Sequence, residues 1–211
     1  MSRGAATAVW VADQLDPGSR VLEVGCGPSG ALAAALAAAG HDVLAIDPRA
    51  PAGPIFRAVA LEDLDEPGPF DAVVAVRSLH HIGDLEAAIG RLHALLVPEG
   101  VLVVEEFVWD RMDEATARWF TGRLAALGRR SFATVDACLT DWTREHDDLH
   151  GEAVLRRALA LRFGERSFAR TPHLAHMLDD EAGVEEERRA LANGEIQPLG
   201  FRFVGRPKPD R

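Results

Sequence analysis

The chain has 211 residues, a formal charge of −10 at pH 7 and 47% apolar residues. That suits one unit with a proper core, or one domain with a helical elaboration, of the soluble globular class. No apolar stretch approaches a membrane span, and the acidic balance opposes the phosphate neutralisation that nucleic-acid binding requires. Of 23 basic residues only Lys208 is a lysine, and tyrosine is absent, so lysine- and tyrosine-based catalysis are nearly excluded by inventory. Cys26 and Cys138 are the only cysteines, which argues against a disulfide framework and fits a reducing, cytoplasmic setting.

In chain order, Met1 to Leu15 reads as a short amphipathic helix. Asp13 interrupts its apolar region and no basic segment beyond Arg3 precedes it, so it is not read as a secretory leader. Arg20-Val21-Leu22-Glu23-Val24 is short, β-branched and bounded by glycine, as a buried strand is. Ser29 to Ala39 is an alanine-rich helix that Gly40 ends, and strands follow at Asp42 to Ile46, Ile55 to Ala60 and Phe70 to Val76. Asp84 caps a helix over Leu85 to Val97, which stops at Pro98-Glu99-Gly100 before a fifth strand, Val101 to Glu105. Strands separated by helices indicate an α/β fold with a doubly wound, parallel sheet.

From Trp109 to about Phe163 the pattern turns helical and polar, with amphipathic stretches at Glu114 to Leu127 and Glu152 to Arg162, as in an inserted or lid-like region. A short strand near Ser167 to Arg170, a charged helix near Gly183 to Ala192, a last strand at Gly200 to Val204 and a loose tail from Arg206 to Arg211 complete the chain. The expected layout is a single domain over 1–211. Its cofactor-binding core covers about 1–108, a helical substrate or lid region about 109–164, and the C-terminal strands and helix 165–211.

The loop after the first strand carries the chemistry. Gly25, Gly27 and Gly30 have the spacing G-x-G-x-x-G between a strand and a helix. Absent Cβ atoms there let a ligand approach backbone N–H groups at a helix N-terminus. Asp47 ends the second strand, 22 residues beyond Gly25, where a carboxylate can accept from two ribose hydroxyls. Loop and acid imply a nucleoside cofactor, although Asp47-Pro48 also suits a simple turn. A nicotinamide cofactor competes, but Glu23 sits two residues before the first glycine, where dinucleotide folds usually carry an apolar residue. A carboxylate there suits a ligand with ammonium and sulfonium charges and repels a pyrophosphate.

The run Val21-Leu22-Glu23-Val24-Gly25-Cys26-Gly27-Pro28-Ser29-Gly30 resembles the first motif of the Rossmann-like (class I), S-adenosylmethionine-dependent methyltransferase superfamily, small-molecule type. Ala45-Ile46-Asp47 resembles its ribose-binding motif and Leu61-Glu62-Asp63-Leu64 its adenine segment. Phe70 to His81 resembles its fourth-strand motif, and Leu96 to Leu102 its turn before the fifth strand. The resemblance covers roughly residues 20 to 107. It implies a mostly parallel seven-stranded sheet in the order 3-2-1-4-5-7-6, with the last strand antiparallel. It also implies S-adenosyl-L-methionine as cofactor, held by Glu23, Gly25, Cys26, Gly27, Gly30, Asp47, Pro48, Glu62, Asp63 and Arg77. Ala60 stands where many relatives have an acid, which leaves adenine recognition open among Glu62, Asp63 and backbone groups.

The reaction so implied moves a methyl group by in-line displacement to a small organic acceptor, oxygen or nitrogen preferred, and positioning does most of the work. His81 and Glu106 are the candidate catalytic residues, with His80 and Glu105 beside them; the His pair can equally be scaffold. Arg77-Ser78-Leu79-His80 lacks the Asn/Asp-Pro-Pro-aromatic run of base-amine methyltransferases, which agrees with the charge in disfavouring nucleic acid. No metal site is expected. His146 and His150 have zinc-compatible helical spacing but no third ligand, and read as part of a solvated acidic stretch. His173 and His176 read as helix-surface residues, with His173 a possible pocket residue, and Glu185-Glu186-Glu187-Arg188-Arg189 reads as a solvated face. Trp109, Trp119, Trp142, Phe107 and Phe120 are core or acceptor-pocket candidates. A nicotinamide-dependent reductase, or a cofactor-binding subunit without catalysis, are the alternative functions.

Overall fold

The computed structural model describes residues 3–129 and 131–209, so the expected ends of the opening helix and of the tail, residues 1–2 and 210–211, lie outside the described residues. The chain opens with α1 (Arg3–Ala12), β1 (Arg20–Val24), α2 (Ala31–Ala38), β2 (Asp42–Ile46) and β3 (Phe56–Arg57). It continues through β4 (Phe70–Val76), α3 (Leu85–Leu95), β5 (Leu96–Phe107), α4 (Glu114–Ala126), α5 (Val135–His146) and α6 (Glu152–Arg162). It ends with β6 (Phe163–Thr171), α7 (Leu174–Met177), α8 (Gly183–Ala192) and β7 (Gly200–Pro207). No helix among the described residues is long and apolar enough to cross a membrane.

Two compact units emerge. One takes the chain as far as Glu106 together with Leu155–Phe168 and the segment from Arg202 onward; the other takes Phe107–Val154 and Ala169–Phe201. From Leu155 onward α6 therefore belongs with the sheet, and the segment holding α7 and α8 with the helical unit. A division into three consecutive stretches does not anticipate that interleaving.

The first unit is built on a mostly parallel seven-stranded sheet in the order β3-β2-β1-β4-β5-β7-β6, with helices on both sides. β1 lies parallel to β2 and β4, with Leu22 opposite Leu44 and Val73, and β4 lies parallel to β5. Val21, Val43, Ala45, Ala72, Val74 and Val103 share a buried cluster with Val11 of α1 and Ala33 and Leu36 of α2. Alternation sends Leu22, Val73 and Leu102 to the opposite face, where they are also fully buried. A sheet covered on both faces requires the near-continuous apolar strands seen here. α1 is tied down from below: the Thr7 hydroxyl donates to the Glu105 carboxylate at 3.1 Å, Arg202 pairs with the same carboxylate at 2.8 Å, and the Arg202 guanidinium lies over the Trp10 ring.

Element boundaries differ from expectation where pairing decides them. The third strand shrinks to Phe56–Arg57, because only Phe56 and Arg57 find partners on β2. The fifth begins at Leu96, paired with Phe70, before the register jumps to Val101 opposite Ala72 and displaces the Pro98-Glu99-Gly100 turn. The sixth extends over Phe163–Thr171, and Arg206–Pro207 belong to β7 rather than to a loose tail.

The second unit packs α4, α5 and α7 around Phe107, Phe120, Leu124, Cys138, Trp142 and Leu174. Asp113 caps α4 by accepting the Thr116 N–H at 2.8 Å, and Thr134 caps α5 by accepting the Ala137 N–H at 3.1 Å. Glu187 departs from its expected solvated place: it is 1% exposed and accepts the N–H groups of His173, Leu174 and Ala175 at 2.8–2.9 Å, capping α7. The rest of that charged run behaves as expected, with Glu185 paired to Arg188. His173 is likewise buried, stacked on Phe107 at 4.6 Å, and not on a helix surface. α5 ends at His146, so His150 leaves the helix and the two rings do not share a face; no cluster of metal-ligating residues exists among the described residues.

Candidate active site

A cavity of about 530 Å³ opens beyond the C-terminal ends of β1, β2 and β4. This is the point where the strand order reverses, and there open α/β sheets bind ligands. Gly25, Gly27, Asp47, Pro48, Glu62, Arg77 and His81 line it, together with Ser78 and Arg49. The glycines have distinct reasons to be there. Gly25 is left-handed (φ +82°), and a Cβ on it would stand 2.2 Å from the Ser78 Cβ, so the loop after β4 approaches only because that side chain is missing. Gly27 is also left-handed (φ +62°), but a Cβ there would meet nothing within 4 Å: it faces open space that a ligand can use. Gly30 lies outside the lining and starts α2, with Phe56 against the position of its absent Cβ.

Asp47 is held ready at the cavity wall. Its Oδ2 accepts the Gly27 N–H at 3.0 Å and its Oδ1 the Arg49 N–H at 2.7 Å, which ties the acid at the end of β2 to the glycine loop. The loop itself is anchored by Gly25 and Cys26 N–H groups donating to the Ile46 carbonyl at 2.8 and 3.1 Å.

Glu23 and Cys26 lie behind the loop, not in the cavity lining. Alternation along β1 turns Glu23 to the α2 face, where it is 3% exposed and accepts from the Ala33 N–H. Its Oε2 has no hydrogen-bond partner among the described residues. Burial, and secondarily the charge of Asp47, push its carboxyl up to about 7, against the helping Ala33 hydrogen bond. Burial likewise pushes the Cys26 thiol up to about 11, with Glu23 and Asp47 adding to the effect, so the residue is an inert core thiol. Glu62 lines the cavity from a single turn at Leu61–Asp63, and Asp63 does not.

The end of β4 carries the remaining groups. Arg77 adopts a left-handed backbone (φ +53°), unusual for a residue with a side chain and costing about 1–2 kcal/mol, and its N–H donates to the Glu105 carbonyl at 2.7 Å. The Ser78 hydroxyl donates to the Val24 carbonyl at 2.8 Å, stapling this loop to the end of β1. Ser78 was not among the sequence candidates; its only signal is its place directly after Arg77. His81 is exposed on the cavity wall. Glu106, by contrast, is wholly buried and outside the lining; its carboxylate takes the Ser78 and Leu79 N–H groups at 3.0 and 2.7 Å and His80 Nδ1 at 2.5 Å. It holds the loop that presents His81.

The second unit has a cavity of its own, about 320 Å³, with Phe120 and Trp142 among its walls. Phe107 belongs to the unit's buried apolar cluster and Trp109 and Trp119 pack against it; none of the three lines the cavity.

A doubly wound sheet whose switch-point cavity joins a close-approach glycine loop to a strand-end acid defines a Rossmann-like domain of the nucleoside-cofactor class. A family model described as a methyltransferase domain matches residues 5–162, and the chain belongs to that family, within the class I, S-adenosylmethionine-dependent methyltransferases. It is 38% identical over 101 residues to a ubiquinone biosynthesis O-methyltransferase of Xanthomonas campestris pv. campestris, covering 41% of this chain and 42% of that protein. A protein of the same description from Rhodopseudomonas palustris is 34% identical over 100 residues, covering 41% and 39%. The matches thus span about two fifths of these curated relatives. In fold, the chain resembles an S-adenosylmethionine-dependent methyltransferase of Mesorhizobium loti, with a TM-score of 0.61, 21% identity and 96% and 99% of the two chains covered.

Proposed function

We propose that the protein transfers a methyl group from S-adenosylmethionine to the oxygen or nitrogen of a small organic acceptor. The observation that carries this reading is the convergence of Gly25, Gly27, Asp47 and Glu62 on one cavity. The open space in front of Gly27 admits the donor's backbone-contacting end. Asp47 takes its ribose hydroxyls, and Glu62 reaches its adenine. Glu23, behind the loop, adds negative potential toward the donor's ammonium without touching it only to the extent that its carboxyl, pushed up to about 7 by burial, is ionised. Pro48 and Arg77 shape the rim.

S-adenosylmethionine, when bound, supplies a methyl group activated by a sulfonium. What remains for the chain is to align it with the acceptor and exclude water, worth about 7–11 kcal/mol in avoided entropy loss, so no catalytic triad is needed. His81 is the group placed to take the acceptor's proton, and Glu106 acts through His80 and the loop backbone as a positioning residue. The two cysteines, both free, agree with a cytoplasmic setting, and the charge of −10 with a small-molecule rather than a nucleic-acid partner.

The test is incubation with methyl-labelled S-adenosylmethionine and a metabolite extract, alongside calorimetry with S-adenosylhomocysteine. Labelled product together with binding that Asp47→Ala abolishes is the expected result. Binding without product under varied conditions would favour a cofactor-holding subunit, and absence of binding would overturn the reading.

A further inference from the structure

The cavity beyond β1, β2 and β4 is divided in charge. Its carboxylates, Asp47 and Glu62, belong to the end of β2 and the turn after β3, with Arg49 bonded through its N–H to Asp47. The wall that follows β4 is formed by Arg77, Ser78, His81, Ile82 and Gly83 and holds no acid. Arg77 is the permanent charge of that wall. It is exposed and makes no ion pair among the described residues.

Carboxylates stand close by in the chain, but each is already taken. The Arg77 N–H donates to the Glu105 carbonyl, so Glu105 is its neighbour on β5, yet the Glu105 side chain is held by the Thr7 hydroxyl and the Arg202 guanidinium. Glu106 is committed to Ser78, Leu79 and His80. A guanidinium presents its donors in a planar fork that matches a carboxylate or a phosphate, and here the protein supplies neither. The Arg77 backbone is also left-handed (φ +53°), a conformation that glycine adopts without strain. Strained residues persist at ligand sites where their side chains are needed. A sulfonium donor brings a further positive charge into this cavity. An acceptor carrying an ammonium group would add another cation against Arg77, whereas an anionic group pairs with Arg77 and offsets the sulfonium.

We infer that Arg77 selects an acceptor bearing a carboxylate or a similar oxyanion and holds it by that group on the β4 side of the cavity. This rests on the proposed methyl transfer and narrows its acceptor class. The methylated atom is then a separate hydroxyl or amine of the same molecule, because an oxyanion gripped in the guanidinium fork has its lone pairs engaged.

The experiment is a calorimetric titration of the whole protein, with saturating S-adenosylhomocysteine at neutral pH, by 3-phenylpropanoate, 3-phenylpropanol and 3-phenylpropylamine. The carboxylate should bind about tenfold more tightly than the alcohol, with the amine weakest. Arg77→Gln should remove that advantage and leave S-adenosylhomocysteine affinity as it was. Arg77→Gly removes the guanidinium and relieves the left-handed backbone, so it should lose the same preference while melting no lower than the parent. Absent carboxylate binding, equal affinity for carboxylate and alcohol, or an undiminished preference in both variants would overturn the assignment, as would loss of the preference only in company with a lowered melting temperature. Weaker S-adenosylhomocysteine binding by both variants would overturn it too, giving the guanidinium to the cofactor's own carboxylate. Carboxylate preference in a protein that binds no S-adenosylhomocysteine would count against the methyltransferase reading alone.

Discussion

Glu106 and His80 meet at 2.5 Å between carboxylate Oε2 and imidazole Nδ1, both side chains buried, while the other carboxylate oxygen takes the N–H groups of Ser78 and Leu79. Three donors on the loop after β4 thus share one acceptor at the end of β5. The neighbouring His81 ring lies 4.1 Å from that of His80, centroid to centroid, so a fixed His80 fixes its neighbour. Glu106→Ala strands these buried donors and should cost about 3 kcal/mol of unfolding free energy, measured by urea denaturation. Glu106→Gln keeps an acceptor for the backbone and should cost clearly less. Equal stability of the alanine variant and the parent would show that the loop holds itself.

Gly25 and Gly27 are both left-handed, but their surroundings differ, and so should their alanine variants. Gly25→Ala drives a Cβ into Ser78 as well as straining the backbone, and should unfold the protein or push the two loops apart. Gly27→Ala adds strain of about 1–2 kcal/mol and a methyl group pointing into free space. Its main effect should be weaker S-adenosylhomocysteine binding, with a melting temperature lowered by only the few degrees that this strain costs. Thermal melts paired with calorimetry separate the two, and a stability loss for Gly27→Ala as large as for Gly25→Ala would contradict the geometry.

His81→Gln bears on the chemistry itself. If the imidazole takes the acceptor's proton, the variant should lose about 100-fold or more in kcat, with the acidic limb of the pH–rate profile flattened and S-adenosylhomocysteine affinity little changed. An unaltered pH profile would leave positioning as the whole of the catalysis.

How much of this could be read from the residues depends on whether the deciding partner is near in sequence. The strand, glycine loop and helix from Arg20 to Ala38 were legible because apolar runs and glycines act locally. The strand order came through the resemblance, not the spacing. Glu187 was misread because, in a run of charges, nothing local distinguishes the one whose carboxylate caps α7 from those that face water. Glu106 was picked out as a possible base, yet its burial and its three donors depend on residues 26 to 28 positions away. The zinc-compatible spacing of His146 and His150 requires one helix through both, and α5 stops at His146. Ser78 escaped because its importance lies in what Gly25 lacks.

The opposite behaviour is expected of Glu23, whose burial works against its charge. In the unfolded chain it titrates near 4.5, and in the folded protein at about 7. Between those values the folded state holds more protons than the unfolded one, so its stability falls as pH rises through that window and changes no further above it. The displacement corresponds to about 3 kcal/mol between the two ends of the window. Glu23→Gln mimics the protonated carboxyl and does not titrate. The variant should match the parent near pH 4.5 and exceed it by about 3 kcal/mol at pH 8, read from urea unfolding at each pH. A gap between variant and parent that stays constant from acid to alkaline conditions would mean that burial does not raise the Glu23 carboxyl above its unfolded value.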